Sequence, residues 1–399
     1  MKYIKRVFIC AHANFPRGGA EANYIEYLSL ALMEQGIEVY VFSRGKNKEA
    51  DFCEEKQCFC HNHIYYENID ERYDSTYDFA KMYFVEASKV IALLEKHAVS
   101  ASDQIIFYTK NYFYIRRIYR YALKKGIKTS MCITEWHQAF QYKGGCLNPV
   151  YWLEKLGFEF GIPMSRRVLP ISSYLEQHFR NKGCNTLCLP ILADPPNMHM
   201  NEENTQKKMT RFIYAGNALK KDAIYTIVQS FAALEQSELL QMEFHITGMK
   251  KKTVKSLTKK CGRELTKLNS FLYIHEWMEY EELIQLYNKM DFLILLREKN
   301  KVTISNFPSK VPEMMGYGVI PIVSKVGDYT SEYLSDGLDS IQVEECTVEC
   351  GVNAIRVALS MTTAERQKMS EAAKKTVSER FDYRLWSAKI SDFLYGTKQ

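Results

Sequence analysis

Three polar segments of the sequence combine glycine with charged side chains, and each follows a short apolar run. Glycines ahead of a helix let backbone N–H groups approach a phosphate or a sugar, and the helix dipole adds to the attraction. A lysine at such a point can neutralise a diphosphate leaving group. The candidate residues are Gly18, Gly19 and Glu21; Gly216, Asn217 and Lys221; and Arg297, Asn306, Ser309, Lys310 and Glu313.

The third segment carries the most specific chemistry. Ser309 and Lys310 stand where a helix is predicted to begin, so its free N–H groups face a ligand. Glu313 follows one turn later, and a carboxylate there can accept hydrogen bonds from two vicinal ribose hydroxyls. The alternatives are an exposed helix carboxylate at Glu313, and tight turns or solvated lysines in the other two segments.

Alternating strand and helix patterns place these segments at strand ends. Apolar runs at residues 7–11, 39–42 and 105–108 predict strands, and helical periodicity separates them. The same alternation restarts at residues 211–215, after a Pro-rich stretch. Such βαβ repetition predicts an α/β fold of two facing, doubly wound Rossmann-like domains, with ligands in a cleft at the carboxyl ends of the strands.

The chain length fits this division. The sequence has 399 residues, more than one typical domain holds. We predict an N-terminal domain over residues 1–192, a C-terminal domain over 193–378, and a last helix over 379–399. No run of about 18 apolar residues lacks charge, and the N-terminus lacks a signal-peptide core. We therefore expect a cytoplasmic protein.

Cysteine and histidine cluster at one place in the first half. The sequence contains 11 cysteines without regular spacing, which favours reduced thiols over a disulfide framework. One short segment contains metal-ligand residue types, but their spacing matches no paired Cys-x-x-Cys module. We expect no metal there. The residues are Cys53, Cys58, Cys60, His61 and His63.

The net charge of +6 is too small to indicate nucleic-acid binding, but it suits contact with phosphates or an anionic membrane. The predicted helix at residues 112–125 is locally basic. Arg116, Arg120 and Lys124 recur four residues apart and share one face. The basic residues extend from Arg116 to Lys128. Their shared face is either a solvated surface or a peripheral membrane contact.

The donor-type segment resembles the signature of GT-B glycosyltransferases, most like glycosyltransferase family 4. Members often read Ser/Thr-Lys-x-x-Glu-x-x-x-x-Gly-x-Pro, and this chain matches at Ser309, Lys310, Glu313, Gly318 and Pro321. The Gly18–Gly19 and Gly216–Lys221 segments fall in the expected order, and the helix over residues 379–399 resembles the family's C-terminal helix, which crosses back to the first domain. The resemblance therefore covers nearly the whole chain.

The resemblance implies retaining, metal-independent transfer of a sugar from a nucleotide sugar, UDP- or GDP-linked, to a hydroxyl. Glu313 would bind the donor ribose, and Lys221 would stabilise the departing diphosphate. Glu135 and His137, which follow a predicted strand, would contact the acceptor or the transferred sugar. His12, just after the first strand, is a further candidate. No other cofactor is implied.

Two positions depart from the family pattern. Ser305 stands where the first Glu of a Glu-x7-Glu pair is expected, and Asn217 replaces an Arg. We hypothesise that Arg297 restores the lost positive charge. Some polysaccharide-assembly members share this form, so the departures fit a subfamily trait.

The leading interpretation is a glycosyltransferase of surface polysaccharide or glycoconjugate assembly, with a saccharide or lipid-linked saccharide acceptor at the inner membrane face. Two alternatives stay open. One is an inactive partner subunit that binds nucleotide or stabilises another transferase, which Ser305 and Asn217 favour. The other is a sugar-nucleotide epimerase, which needs acid and base carboxylates in both domains.

Overall fold

A computed structural model describes residues 5–69, 85–195, 209–216, 221–276 and 278–396. Contacts divide the chain into two compact units. Unit 1 comprises Met1–Leu192 together with Tyr383–Gln399, and unit 2 comprises Ala193–Asp382. Each unit is built on its own sheet.

The sheet of unit 1 has nine strands in the order β3-β4-β5-β2-β1-β6-β7-β8-β9. Strands β3 to β5 pair antiparallel, and the other neighbours pair parallel. The strands are β1 (Arg6–Asn14), β2 (Glu38–Arg44), β3 (Phe52–Cys53), β4 (Cys58–His61), β5 (Ile64–Asn68), β6 (Gln104–Tyr108), β7 (Lys128–Ile133), β8 (Arg167–Pro170) and β9 (Asn185–Thr186).

Helices connect the parallel strands of unit 1. They are α1 (Ala20–Met33), α2 (Glu86–Lys96), α3 (Tyr112–Lys125), α4 (Pro149–Leu156) and α5 (Ser173–Arg180). The last helix of the chain, α15 (Tyr383–Tyr395), also belongs to this unit. It packs on α1, where Gln35 donates a hydrogen bond to the Ser387 hydroxyl at 3.0 Å.

The sheet of unit 2 is entirely parallel, in the order β12-β11-β10-β13-β14-β15. Its strands are β10 (Thr210–Ala215), β11 (Met242–Thr247), β12 (Leu272–Ile274), β13 (Phe292–Leu295), β14 (Ile320–Ser324) and β15 (Ile341–Val343). Its helices are α6 (Ile224–Ala232), α7 (Gln236–Leu239), α8 (Lys251–Lys260), α9 (Gly262–Leu268), α10 (Tyr280–Tyr287), α11 (Lys301–Ser305), α12 (Lys310–Gly316), α13 (Val348–Ser360) and α14 (Thr363–Arg380).

Central strands are buried on both faces, as expected of parallel sheets covered by helices. Every residue of β6, β13 and β14 is buried, and these strands are rich in Ile, Leu and Phe. The strand order reverses beside β1 in unit 1 and beside β10 in unit 2. Both units are therefore doubly wound α/β structures, which confirms the predicted fold class.

Several predicted elements differ in extent. The sequence pattern over residues 74–97 predicts one long helix; the structure describes it from Glu86 to Lys96, and residues 70–84 lie outside the described part. The pattern over residues 254–265 predicts one helix, where the structure has two, α8 and α9, that meet at Cys261. The sequence around residues 53–63 predicts a loop and strand edge, and in the structure residues 52–68 form the antiparallel strands β3 to β5.

The cysteine–histidine segment lies in that antiparallel edge. Cys53 and Cys58 are cross-strand neighbours, and Cys58 is buried. Within the described residues, no group of three or more His, Cys, Asp or Glu side chains is placed to hold a metal ion. Among the helices described, none has both the length and the apolar character needed to span a membrane.

Candidate functional site

In unit 2, polar residues collect at the carboxyl ends of the two strands where the order reverses. Gly216 follows β10, and Arg297 comes two residues after the end of β13. These strands are neighbours in the sheet. Ligands of doubly wound sheets bind at this position, so it is the candidate donor site.

Arg297 organises this edge of the sheet. Its Nε donates to Asp222 Oδ1 at 2.8 Å, and its Nη1 donates to Asn306 Oδ1 at 2.9 Å. The buried Tyr214 hydroxyl donates to the other Asp222 oxygen at 2.8 Å. Only 5% of the Arg297 side chain and 9% of the Asp222 side chain are exposed. The guanidinium of Arg297 therefore connects Asp222, 75 positions earlier in the chain, with Asn306, nine positions later.

The charge of Arg297 is balanced by a neighbouring carboxylate. Burial lowers the pKa of its guanidinium, but the neighbouring Asp222 carboxylate outweighs burial and the pKa is raised. The charge of Arg297 is thus balanced within the protein by Asp222. Arg297 positions Asp222 and Asn306, and its hypothesised role in restoring the missing family charge stays a prediction.

The loop that begins at Gly216 packs closely against the ends of β10 and β11. A Cβ atom at Gly216 would lie 2.8 Å from the Tyr214 hydroxyl, which explains the glycine. The Gly216 N–H donates to the Thr247 carbonyl at 3.0 Å. Lys221 is half-buried and directly precedes the Asp222 carboxylate that pairs with Arg297. Asn217 lies outside the described residues, so its predicted role stays a prediction.

The helix α12 presents Lys310 and Glu313 on one face. Lys310 Nζ lies 3.0 Å from Glu313 Oε2, one turn away, and 5.7 Å from the centre of the Tyr287 ring. Burial opposes the charge of Lys310, but Glu313 dominates and raises the lysine pKa. Glu313 is 9% exposed, so the alternative of a solvated helix carboxylate is wrong.

Two serines precede this pair in the sequence, Ser305 and Ser309. Ser309 precedes α12, but its side chain does not cap the helix. Ser305 ends α11 in a fully buried position, and its hydroxyl donates to the Val302 carbonyl at 3.2 Å. Position 305 therefore carries a neutral, buried hydroxyl where the family pattern has a carboxylate. Gly318, at φ +80°, makes the turn into β14.

In unit 1, the loop after β1 requires both of its glycines. A Cβ atom at Gly18 would lie 2.2 Å from the Asn14 carbonyl oxygen. Gly19 has φ +87°, a conformation that favours glycine, and directly precedes α1. Glu21 lies in the first turn of α1, and desolvation of its carboxyl group together with the neighbouring Glu135 raises the pKa of that group.

The carboxyl ends of β6 and β7 bring together a cluster of charged side chains. His137 Nε2 lies 2.8 Å from Glu135 Oε2, and His137 Nδ1 lies 2.6 Å from Glu154 Oε2. Lys110 Nζ lies 3.5 Å from the same Glu154 oxygen, and the Tyr142 hydroxyl donates to it at 2.7 Å. We call Lys110, Glu135, His137, Tyr142 and Glu154 the unit 1 cluster.

The two carboxylates control the charge of the histidine. Desolvation and Lys110 lower the His137 pKa, but hydrogen bonds to Glu135 and Glu154 outweigh them and raise it. Burial opposes the ionised form of Glu154, but His137 and Lys110 lower the Glu154 pKa to about 2. The cluster therefore favours a charged imidazolium between two carboxylates.

His12 has a different environment. Its Nδ1 lies 2.8 Å from the Thr109 hydroxyl, and its Nε2 lies 3.0 Å from Glu86. Burial lowers the His12 pKa to about 4, so the ring is neutral at physiological pH. His12 is a buried connection between β1 and the residues after β6, and it lies outside the unit 1 cluster.

Three members of the unit 1 cluster were not found from the sequence. Lys110 follows β6 as Glu135 follows β7, so its position after a strand was a usable signal. Tyr142 and Glu154 belong to an irregular segment and to α4, for which the sequence analysis predicted no element. No local pattern connects them to His137.

Comparisons with known proteins agree with this geometry. Residues 197–376 match the family model for glycosyl transferases group 1. A comparison with curated proteins finds no match. The matched region covers most of unit 2, including Lys221, Arg297 and Glu313.

Several solved structures have the same fold over nearly the whole chain. Sucrose-phosphate synthase from Thermosynechococcus elongatus is 14% identical, with a TM-score of 0.73 and 98% of both chains covered. WaaG, a glycosyltransferase involved in lipopolysaccharide biosynthesis, is 14% identical, with a TM-score of 0.69 and coverage of 98% of this chain and 100% of that one. Anabaena Alr3699/HepE in complex with UDP-glucose is 13% identical, with a TM-score of 0.69 and coverage of 99% and 100%.

The likeness to these structures shows the fold, and the family model adds a sequence match in unit 2. Together they support sugar transfer. The chain thus has the fold of the GT-B glycosyltransferases, and its residues 197–376 carry the sequence pattern of glycosyl transferases group 1.

Proposed function

We propose that this protein transfers a sugar from a nucleotide sugar to a hydroxyl, with retention of anomeric configuration and without a metal ion. The observation that carries the proposal is the edge of unit 2, where Lys221, the Arg297–Asp222 pair and the Lys310–Glu313 pair follow strands of one parallel sheet. The donor is UDP- or GDP-linked. Binding of UDP-glucose by Alr3699/HepE supports the first of these.

Each charged group has a separate part in the proposal. Glu313, in the first turn of α12 and paired with Lys310, accepts hydrogen bonds from the donor ribose. Lys221 stabilises the diphosphate as the glycosidic bond breaks, because the charge of Arg297 is already balanced by Asp222. Gly216, Asn217, Asn306 and Ser309 contact the donor. In unit 1, Glu21, Glu135 and His137, with the loop of Gly18 and Gly19, contact the acceptor.

Donor turnover tests this function. With EDTA present, we expect the purified protein to release UDP or GDP from one member of a nucleotide-sugar panel. Lys221→Ala should slow this release at least tenfold, because a developing charge loses its partner. Lys252→Ala, at an exposed lysine of α8, should not. If the folded protein turns over none of the donors with any acceptor, the proposal that it is an active transferase is contradicted. That result would favour an inactive partner subunit, as the neutral Ser305 suggests.

We further propose a saccharide or lipid-linked saccharide acceptor in surface polysaccharide or glycoconjugate assembly, with peripheral membrane contact through α3. This helix buries Ile115 and Ile118 and exposes Arg120, Leu123 and Lys124. Exposed cations beside an apolar side chain suit anionic headgroups. The involvement of WaaG in lipopolysaccharide biosynthesis fits such a pathway.

Vesicle sedimentation tests the membrane contact. We expect the protein to sediment with vesicles that contain phosphatidylglycerol, less so with pure phosphatidylcholine, and less at high salt because exposed charges are screened. The double variant Arg120→Glu/Lys124→Glu should abolish the difference, whereas Lys252→Glu/Lys255→Glu on α8 should keep it. Equal sedimentation with the two lipids, or unchanged binding by the α3 variant, would overturn the proposal.

A further inference from the structure

The unit 1 cluster places His137 between two carboxylates that come from different elements. Glu135 follows β7, only two residues before the histidine, whereas Glu154 reaches it from α4. A carboxylate oxygen accepts hydrogen bonds and cannot donate them when ionised. Each ring nitrogen lies beside such an oxygen, and Lys110 Nζ lies 2.9 Å from Nδ1 and 3.1 Å from Nε2. The two carboxylates favour a proton on both nitrogens, and Lys110 opposes it.

The helix α4 continues directly into the helical turn Gly157–Gly161, which buries Phe158 in the core. None of the residues of α4 itself is buried, so α4 has no apolar face of its own in the core. It is held at its start, where Asn148 accepts a hydrogen bond from the Val150 N–H at 2.9 Å and Pro149 occupies the first turn. Near its end, Glu154 bonds to the unit 1 cluster. The polar contact with His137 thus couples α4 to the strand ends.

The cluster is open to solvent and hence to a ligand. About a quarter to a third of each of the His137, Glu135 and Glu154 side chains is exposed. The other charged or titratable groups that face His137 are Lys110, after β6, the Tyr142 hydroxyl, and Glu21 of α1. The positive charge of Lys110 disfavours a second positive charge on the His137 ring, so protonation of the ring depends on Glu135 and Glu154.

We propose that Glu154 is a positioning residue for the acceptor side: by accepting the Nδ1 proton it fixes the His137 ring and its positive charge, which His137 places beside the acceptor or the transferred sugar. The inference rests on the proposed sugar transfer, since it assigns His137 to that site. Glu135, adjacent in the chain, bonds the opposite nitrogen, and Tyr142 supports the Glu154 oxygen.

The direct test is a pH titration of the His137 ring by NMR, on the full chain with isotope-labelled histidine and assignment by His137→Gln. The Glu154 carboxylate favours the charged ring, so in Glu154→Gln the ring should lose its proton at lower pH than in the wild type. Tyr142→Phe removes no charge and should change the titration little. Glu159→Gln, at a carboxylate paired with Lys182 in the same unit, should not change it.

The second readout is the pH dependence of kcat/KM. If transfer uses the charged ring, activity falls as pH rises through the His137 pKa, and Glu154→Gln moves this fall to lower pH. We expect about a tenfold loss near pH 8 and little loss near pH 6. A purely structural role would lower activity equally at all pH values.

The outcomes separate the two proposals. Superimposable His137 titrations in the wild type and Glu154→Gln would overturn the positioning role, whatever the activity. A shifted titration in a protein without turnover would support the role of Glu154 on the ring and contradict the proposed function. If Glu154→Gln does not fold, Glu154→Asp retains the charge but shortens the reach, and a titration identical to that of the wild type would overturn the proposal.

Discussion

Asp222→Ala is expected to lower the free energy of unfolding by about 3–5 kcal/mol, because it leaves the Arg297 guanidinium buried without its carboxylate. The 2.8 Å contact between these side chains is almost completely shielded from water. Removing one member of such a pair costs more than removing both, since the remaining charge must still be desolvated. Urea unfolding followed by circular dichroism measures the loss.

A double variant separates charge from packing. Asp222→Ala/Arg297→Met removes both charges, and we expect it to be more stable than Asp222→Ala alone. Glu379→Ala breaks an exposed ion pair with Lys375 and should change stability little. If Asp222→Ala unfolds like the wild type, then Arg297 does not depend on Asp222 and our account of this edge is wrong.

The strands were predictable because their composition reflects their burial. The runs around Phe107 and Ile294 are continuous apolar stretches, and in the structure they are strands buried on both faces. Their alternation with helical periodicity was enough to predict two doubly wound sheets. The turn at Gly18 and Gly19 was also predictable from the sequence, because two successive glycines mark a backbone conformation that other residues adopt poorly.

The side-chain contacts within the two candidate sites were harder to predict from the sequence. Arg297 and Asp222 are 75 positions apart, and nothing local shows that the neighbouring strands β10 and β13 bring them together. The sequence analysis therefore treated Arg297 as a charge available to the donor. Glu154 was missed for a similar reason: α4 has no buried face, so it produces no strong apolar periodicity to mark it.

Glu313→Ala has the second large expected effect. In the proposed site the Glu313 carboxylate accepts hydrogen bonds from the ribose, and hydrogen bonds to a charged group contribute about 1.5–3 kcal/mol. The affinity for the matching nucleoside diphosphate should fall about 10- to 100-fold. Glu313→Gln keeps the size and one acceptor oxygen, so it should bind with intermediate affinity. Glu349→Ala, at an exposed carboxylate of α13, should bind like the wild type.

Calorimetric titration with UDP, GDP, ADP and CMP, without added metal, tests the central claim that unit 2 binds the nucleotide part of the donor. We predict saturable binding of UDP or GDP by the wild type and by Glu349→Ala, and strongly weakened binding by Glu313→Ala. If the folded wild type binds none of the four nucleotides, or if Glu313→Ala binds as tightly as the wild type, the donor site proposed here is contradicted.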